Sequence, residues 1–261
     1  MVELISRISK GTRMDQIYIP KERMPGFELG ATVLIKPVLE KANIRPYYYN
    51  VSNLEPIKNI IIEEIMNYFE NFDNVIITGS FLEKGFDFED IDVLLITERK
   101  ADTSKLESHF ERDFGIKLHI IAIDFKSLLK GLITDPLFQM MLSKFVSGKR
   151  VIFRIKRKIN YKLLDLHLLE SKVLIGNFGF LPGREKYKLI RNSIAIKLFM
   201  ENESISLETV NSEIDSYFGK ETVRNIRENL LDKSFLNKYK ELYDRIFKDI
   251  LAGIKNDSKQ E

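Results

Sequence analysis

NVIITGSFLEKGFDFEDIDVLLIT, residues 74–97, decides how the chain is read. Val75, Ile76 and Ile77 form a short β-branched run that stops at Thr78-Gly79-Ser80, the pattern of a strand breaking into a turn. A glycine at that point lets a phosphate approach the backbone. A short helix opening over Phe81–Lys84 aims unpaired N–H groups at such a phosphate, with the Ser80 hydroxyl as a further donor. After a nine-residue spacer from Ser80 comes Asp90-Ile91-Asp92-Val93-Leu94-Leu95-Ile96, whose first four positions alternate. In a strand, Asp90 and Asp92 share one face while Ile91 and Val93 share the other, and the two carboxylates stand about 7 Å apart. Such a pair can hold hard divalent cations, and magnesium held by carboxylates and substrate phosphates together is a common phosphoryl-transfer arrangement. The plainer reading is that both carboxylates solvate the outer face of a sheet.

Gly79-Ser80, the nine-residue spacer and Asp90-Ile91-Asp92 between apolar residues resemble the signature of the nucleotidyltransferase superfamily, which includes polymerase β and the minimal nucleotidyltransferases. The resemblance implies an α+β fold, a mixed sheet with helices. It also implies transfer of a nucleoside monophosphate from a nucleoside triphosphate, ATP or another, to an acceptor hydroxyl. Gly79 and Ser80, with Lys84, then hold the triphosphate, and Asp90 and Asp92 hold Mg2+ or Mn2+. The acceptor is left open among RNA ends, a protein side chain and a small molecule. The family carries a third carboxylate on the next strand, expected here over Ile116–Ile123. If Ile116, Leu118, Ile120 and Ala122 face the core, His119 takes that position. An imidazole can accept a proton or ligate a metal, but magnesium prefers oxygen. His119 as plain surface decoration is the other reading. Asp124 has the opposite parity and needs a bulge to take part.

The rest of the chain frames this stretch. A length of 261 residues accommodates two modest domains with their own cores. The lack of cysteine excludes disulfides and cysteine-held metal centres, and fits a reducing compartment. No apolar run reaches the roughly 18 residues a bilayer span needs, and the N-terminal residues lack a signal-peptide core. The expectation is a cytoplasmic protein with no membrane partner. The net charge of +3 does not by itself demand nucleic acid.

Residues 1–50 read as strands and turns, a small β-extension. Gln16–Pro20 alternates, Lys21–Arg23 is charged, Pro25-Gly26 turns, and Ala31–Ile35 resumes a strand. The run is similar to AbrB-like swapped hairpins, which implies dimerisation and DNA binding. The other reading is a small cap on the next domain. Tyr47-Tyr48-Tyr49 can stack on bases or divide between core and surface. Asn53 is placed to cap a helix reaching about Phe72, with Ile57, Ile61, Ile65, Phe69 and Phe72 inward and Lys58 outward. Ser104–Phe114 reads as a helix closed by Gly115. Lys126–Ser147 reads as helical with a restart at Asp135-Pro136. Ser147–Phe153 is expected to be a turn and closing strand, with a domain spanning 51–154.

Lys149–Lys162 holds seven lysines and arginines with no acid: a solvated face, or a path for nucleic acid beside the phosphate turn. Residues 155–261 read as an all-α domain of helices near 161–175, 186–201, 207–218, 223–231 and 235–251. This resembles the HEPN-like partner of minimal nucleotidyltransferases. HEPN ribonucleases carry an arginine four to six residues before a histidine; no arginine stands so before His167, so that activity is not carried over.

Overall fold

The computed structural model describes residues 8–9, 16–19, 26–31, 45–153 and 156–257, in two compact units, Met1–Asn43 and Ile44–Glu261. In the first unit β1 (Ile8–Ser9) pairs antiparallel with β2 (Gln16–Ile17), Ile8 opposite Ile17. The charged segment Lys21–Arg23, and all but Ala31 of the strand expected over Ala31–Ile35, lie outside the described residues.

The second unit is α+β. Its sheet takes the order β3 (Tyr47–Tyr49), β7 (Phe145–Ser147), β4 (Asn74–Thr78), β5 (Ile91–Ile96), β6 (Leu118–Ile123), antiparallel throughout except for the parallel pair β5–β6. That pair needs a crossover, supplied by α2 (Thr103–Phe114). Asp102 caps the helix by accepting from Lys105 N–H, and Gly115, at φ 70°, ends it. Glu107 of α2 accepts from the Ile120 N–H at 2.6 Å, satisfying an amide of the edge strand β6.

One face of the sheet, with Val75, Ile77, Ile91, Val93, Leu95, Leu118 and Ile120, packs under α2 and α1 (Pro56–Tyr68). The other presents Ile76, Leu94, Ile96 and Phe145 to α3 (Phe125–Thr134) and to Leu142 beyond α4 (Pro136–Met141). Each such side chain, fully buried, contributes about 1.5–3 kcal/mol.

Helix α1 departs from the sequence reading. It starts at Pro56, whose fixed φ suits a first helical position, while Asn53 sits at φ 56° in the turn before it and does not cap. Its buried stripe is Lys58, Ile62, Ile65 and Met66, continued by Phe69; Ile57 is 48% exposed and Lys58 is fully buried. The Lys58 ammonium can lie inside because it is partnered. It donates to the Glu83 carbonyl, pairs with Glu55 at 3.1 Å and sits beneath the rings of Phe81, Phe86 and Phe88. Glu55 in turn accepts from the Gly85 N–H at 2.7 Å, and that bond leads in holding its carboxyl down to about 2. The first turn of α1 thus fastens the loop between β4 and β5.

The closing strand also lies elsewhere. Phe145–Ser147, which the sequence places at the end of a helix, fills the gap between β3 and β4, whereas Val151–Phe153 has no regular structure. Tyr49 stacks on Phe145 at 4.3 Å, and its hydroxyl accepts from the Val151 N–H, while Tyr47 and Tyr48 stay exposed.

The remaining helices are α5 (Tyr161–Ser171), α6 (Val173–Asn177), α7 (Gly183–Met200), α8 (Leu207–Phe218), α9 (Thr222–Arg227) and α10 (Lys233–Asp257). The helix expected over 161–175 is broken at Lys172, and α7 begins three residues before its expected start. Helix α7 is central: Ile190, Ile194, Ala195 and Phe199 are buried against α5, α8, α9 and α10, and Met140 of α4 joins this core. Side chains also tie the helices to the sheet region. His167 Nε2 lies 3.1 Å from Asp135 Oδ2, and Asp135 meanwhile caps α4. Arg157 donates to Gln139 Oε1 at 3.0 Å and to the Glu203 carbonyl, with its guanidinium over Phe199. The boundary expected near Arg154 falls on a residue outside the described set. Among the described residues no helix is long and apolar enough to cross a membrane.

Candidate active site

Three strands bring the candidate residues together by register. Thr78, last in β4, stands opposite Asp92 of β5, and Asp92 stands beside His119 of β6. These positions lie on the face that carries Ile76, Leu94 and Ile96, and Asp92 and His119 lie outside the apolar cluster that α3 covers. Thr78 is buried, its hydroxyl directed at the carbonyls of Met141 and Lys144, which ends the covered part of the sheet.

Gly79 follows with φ 84° and ψ −164°, a conformation reserved almost wholly for glycine. A Cβ built there would lie 2.1 Å from Asp92 Oδ2. The missing side chain therefore lets the Asp92 carboxylate rest on the turn's backbone. The helix expected over Phe81–Lys84 is instead a single 3-10 turn, Ser80–Leu82, pinned by the buried Phe81 and Leu82. The N–H groups of Leu82 and Glu83 bond back to Gly79 and Ser80 at 3.2 and 3.0 Å. The turn thus leaves the amide of Ser80, at its exposed start, as the donor it can direct at a ligand, while Phe81 behind it is fully buried. Ser80, Lys84 and Asp90 are all exposed around it, Asp90 directly before β5.

His119 points toward the carboxylates. Its Nδ1 stands 3.0 Å from Asp92 Oδ1, with the imidazole more than half exposed. That hydrogen bond, reinforced by the charges of Asp92, Asp90 and Glu107 against the cost of burial, raises the His119 pKa above its ordinary value. Asp124 is engaged elsewhere. It caps α3, accepting from the Ser127 N–H at 2.6 Å, and this bond lowers its pKa.

Lys144 is not legible from sequence as a site residue. Its carbonyl meets Thr78, directly before Gly79, and its ammonium pairs at 3.1 Å with Glu83, directly after the 3-10 turn, so it brackets the Gly79 turn from both ends. Some sixty residues separate it from that turn, and only the fold of α4 and β7 brings it there. Of the basic run, Lys149, Arg150, Lys156, Lys158 and Lys162 are exposed, whereas Arg157 is engaged in packing.

The donors suit a divalent ion in one particular manner. Among the described residues no three His, Cys, Asp or Glu side chains gather into a metal cage. Two exposed or half-exposed carboxylates beside the Gly79 turn fit magnesium, which is held by one or two carboxylates and otherwise by water and substrate phosphates. No family model, curated protein or solved structure matches the chain.

Proposed function

We propose that the protein is a metal-dependent nucleotidyltransferase, moving a nucleoside monophosphate from a nucleoside triphosphate to an acceptor hydroxyl. The observation that carries this reading is the Asp92 carboxylate lying on Gly79, which puts an ion-binding oxygen against the backbone that would receive phosphates. In the transfer the acceptor oxygen bonds to the α-phosphorus as the bond to pyrophosphate breaks. Gly79 and Ser80 seat the triphosphate, with Lys84 at its exposed side, and Asp90 and Asp92 hold magnesium or manganese. The ion, when bound, neutralises charge on the phosphates and aligns acceptor and leaving oxygens. His119, when neutral, takes the acceptor's proton.

A second reading has one observation in its favour. His119 stands where a third carboxylate is expected, and when protonated it ties up Asp92, as suits a nucleotidyltransferase fold kept for regulation or nucleic-acid binding without turnover.

Labelled nucleoside triphosphates, incubated with the protein, magnesium and cell extract, separate the two, because transferred label reports both activity and acceptor. Asp90→Asn with Asp92→Asn is expected to abolish magnesium-dependent nucleotide binding while leaving thermal stability equal or higher, since two like charges that repel each other are removed. Equal triphosphate affinity in wild type and double variant would remove the basis of this assignment.

A further inference from the structure

Among the described residues, the helical part of the molecule holds cations that no acid answers. Arg191 of α7 is half-buried; its Nε is sealed from solvent without a hydrogen-bond partner, and its NH2 group reaches only Asn192 Oδ1 at 3.2 Å. Among the described residues no carboxylate pairs with it. Its guanidinium carbon lies 5.9 Å from the centre of the Tyr187 ring, and that of exposed Arg227 lies 4.5 Å from the same ring. Tyr187 is itself fixed, donating to Asn211 Oδ1 at 2.7 Å. Arg227 also forms no ion pair among the described residues. The acid next to Arg227 in the chain is engaged elsewhere, Glu228 with Arg224 at 2.8 Å. Lys186, next to Tyr187, is buried too, and its ammonium meets Asn229 and the Phe178 ring, not an acid.

Buried charge is costly unless paired, and two guanidiniums over one ring repel each other. A fold that keeps both has a deficit of negative charge at that point. Burial first, and the neighbouring Arg227 charge with it, lowers the Arg191 pKa against the opposing influence of Tyr187, as an unanswered cation requires. Planar guanidiniums bind phosphate oxygens bidentately, and an arginine fixed by an aromatic face is ordered before the ligand arrives.

We propose that Arg191 and Arg227, around Tyr187, form a subsite for a phosphate group of a bound ligand, separate from the Gly79 turn. It requires no metal, and it stands whether or not the protein transfers nucleotides.

The test uses the full chain in EDTA with inorganic pyrophosphate and, separately, a short single-stranded oligonucleotide. Binding is followed by the rise in thermal midpoint and by fluorescence anisotropy of the labelled oligonucleotide. At least one probe is expected to bind wild type and the Asp90→Asn, Asp92→Asn variant alike, and about tenfold more weakly to Arg227→Gln, which loses one charge-assisted fork. Response to pyrophosphate marks a small phosphorylated ligand, and response to the oligonucleotide alone marks a polymer. Arg191→Met is expected to raise the midpoint without anion, by removing the unanswered charge, and to abolish the rise with it. Full binding in Arg227→Gln, loss of binding in the aspartate variant, or no binding of either probe to wild type would each overturn the subsite.

Discussion

One face of the central sheet carries two regions that share strands and differ in what covers them. Toward the ends of β5 and β6, Ile76, Leu94 and Ile96 lie beneath Leu128 and Leu132 of α3. Two residues back along β5, on the same face, Asp92 lies beside His119 with solvent in reach. The backbone is continuous across both, and the cross-strand register does not change. What changes is that the covering layer stops at Thr78, whose hydroxyl meets the Met141 and Lys144 carbonyls. A site here needs no special scaffold: it is the part of an ordinary sheet face that the covering layer leaves open, and the apolar part fixes the register that aligns the polar part.

The largest effect is expected where the face is covered. Leu94→Ala removes a fully buried side chain from between sheet and α3, and should cost about 2–5 kcal/mol in urea unfolding. Because stability and site share strands but not side chains, triphosphate affinity in the variant that remains folded should match wild type. A loss of affinity proportionate to the loss of stability would mean that the two regions are not separable.

Gly79→Ala acts at the border between them. The new methyl must enter a backbone conformation that excludes it and meet the Asp92 carboxylate, so a cost of about 1–3 kcal/mol is expected together with loss of nucleotide binding. Two causes are involved, and a double-mutant cycle divides them. In an Asp92→Ala background the collision is gone and only the backbone strain is left, so the penalty should fall clearly below that in wild type. An undiminished penalty would place the whole effect in the backbone, and the contact between turn and carboxylate would lose its weight.

Legibility from sequence follows the same division. The strand, turn and strand over 74–97 are readable because each signal is local: β-branched residues, a glycine, then alternation. Gly115 and Asp135-Pro136 are readable for the same reason, as each terminates or restarts a helix within its own turn. Lys58 defeats the helical period because its burial depends on a carbonyl and three rings some twenty-five residues away. Phe145–Ser147 reads as helix because a three-residue strand has no period of its own and takes its identity from the strands on either side. Arg157 and Arg191 look alike in sequence, yet Arg157 is fastened by the Gln139 side chain and the Glu203 carbonyl, whereas among the described residues the Arg191 Nε has no hydrogen-bond partner.

The smallest effect on stability is expected at His119, where the open region is most exposed. Its folded pKa is raised, chiefly by the hydrogen bond to Asp92, so the bond's contribution is complete below the unfolded histidine value of about 6.5 and disappears as pH rises through the higher folded value. Solvent screening at this exposed pair keeps the contribution to a fraction of a kcal/mol. The consequence for metal is larger than that for folding. A protonated imidazole competes for the Asp92 oxygen that an ion needs, so magnesium affinity should rise as pH climbs through the folded His119 pKa. His119→Asp removes the competing cation and adds an oxygen ligand, and is expected to bind magnesium more tightly with no titration in that window. His119→Ala separates the two contributions: it should lose the pH dependence as well, without gaining the affinity that a third carboxylate brings. Calorimetric titration of magnesium at several pH values checks all three proteins. If wild type and His119→Ala follow the same pH curve, the imidazole does not control Asp92, and the contrast between the covered and open regions reduces to packing alone.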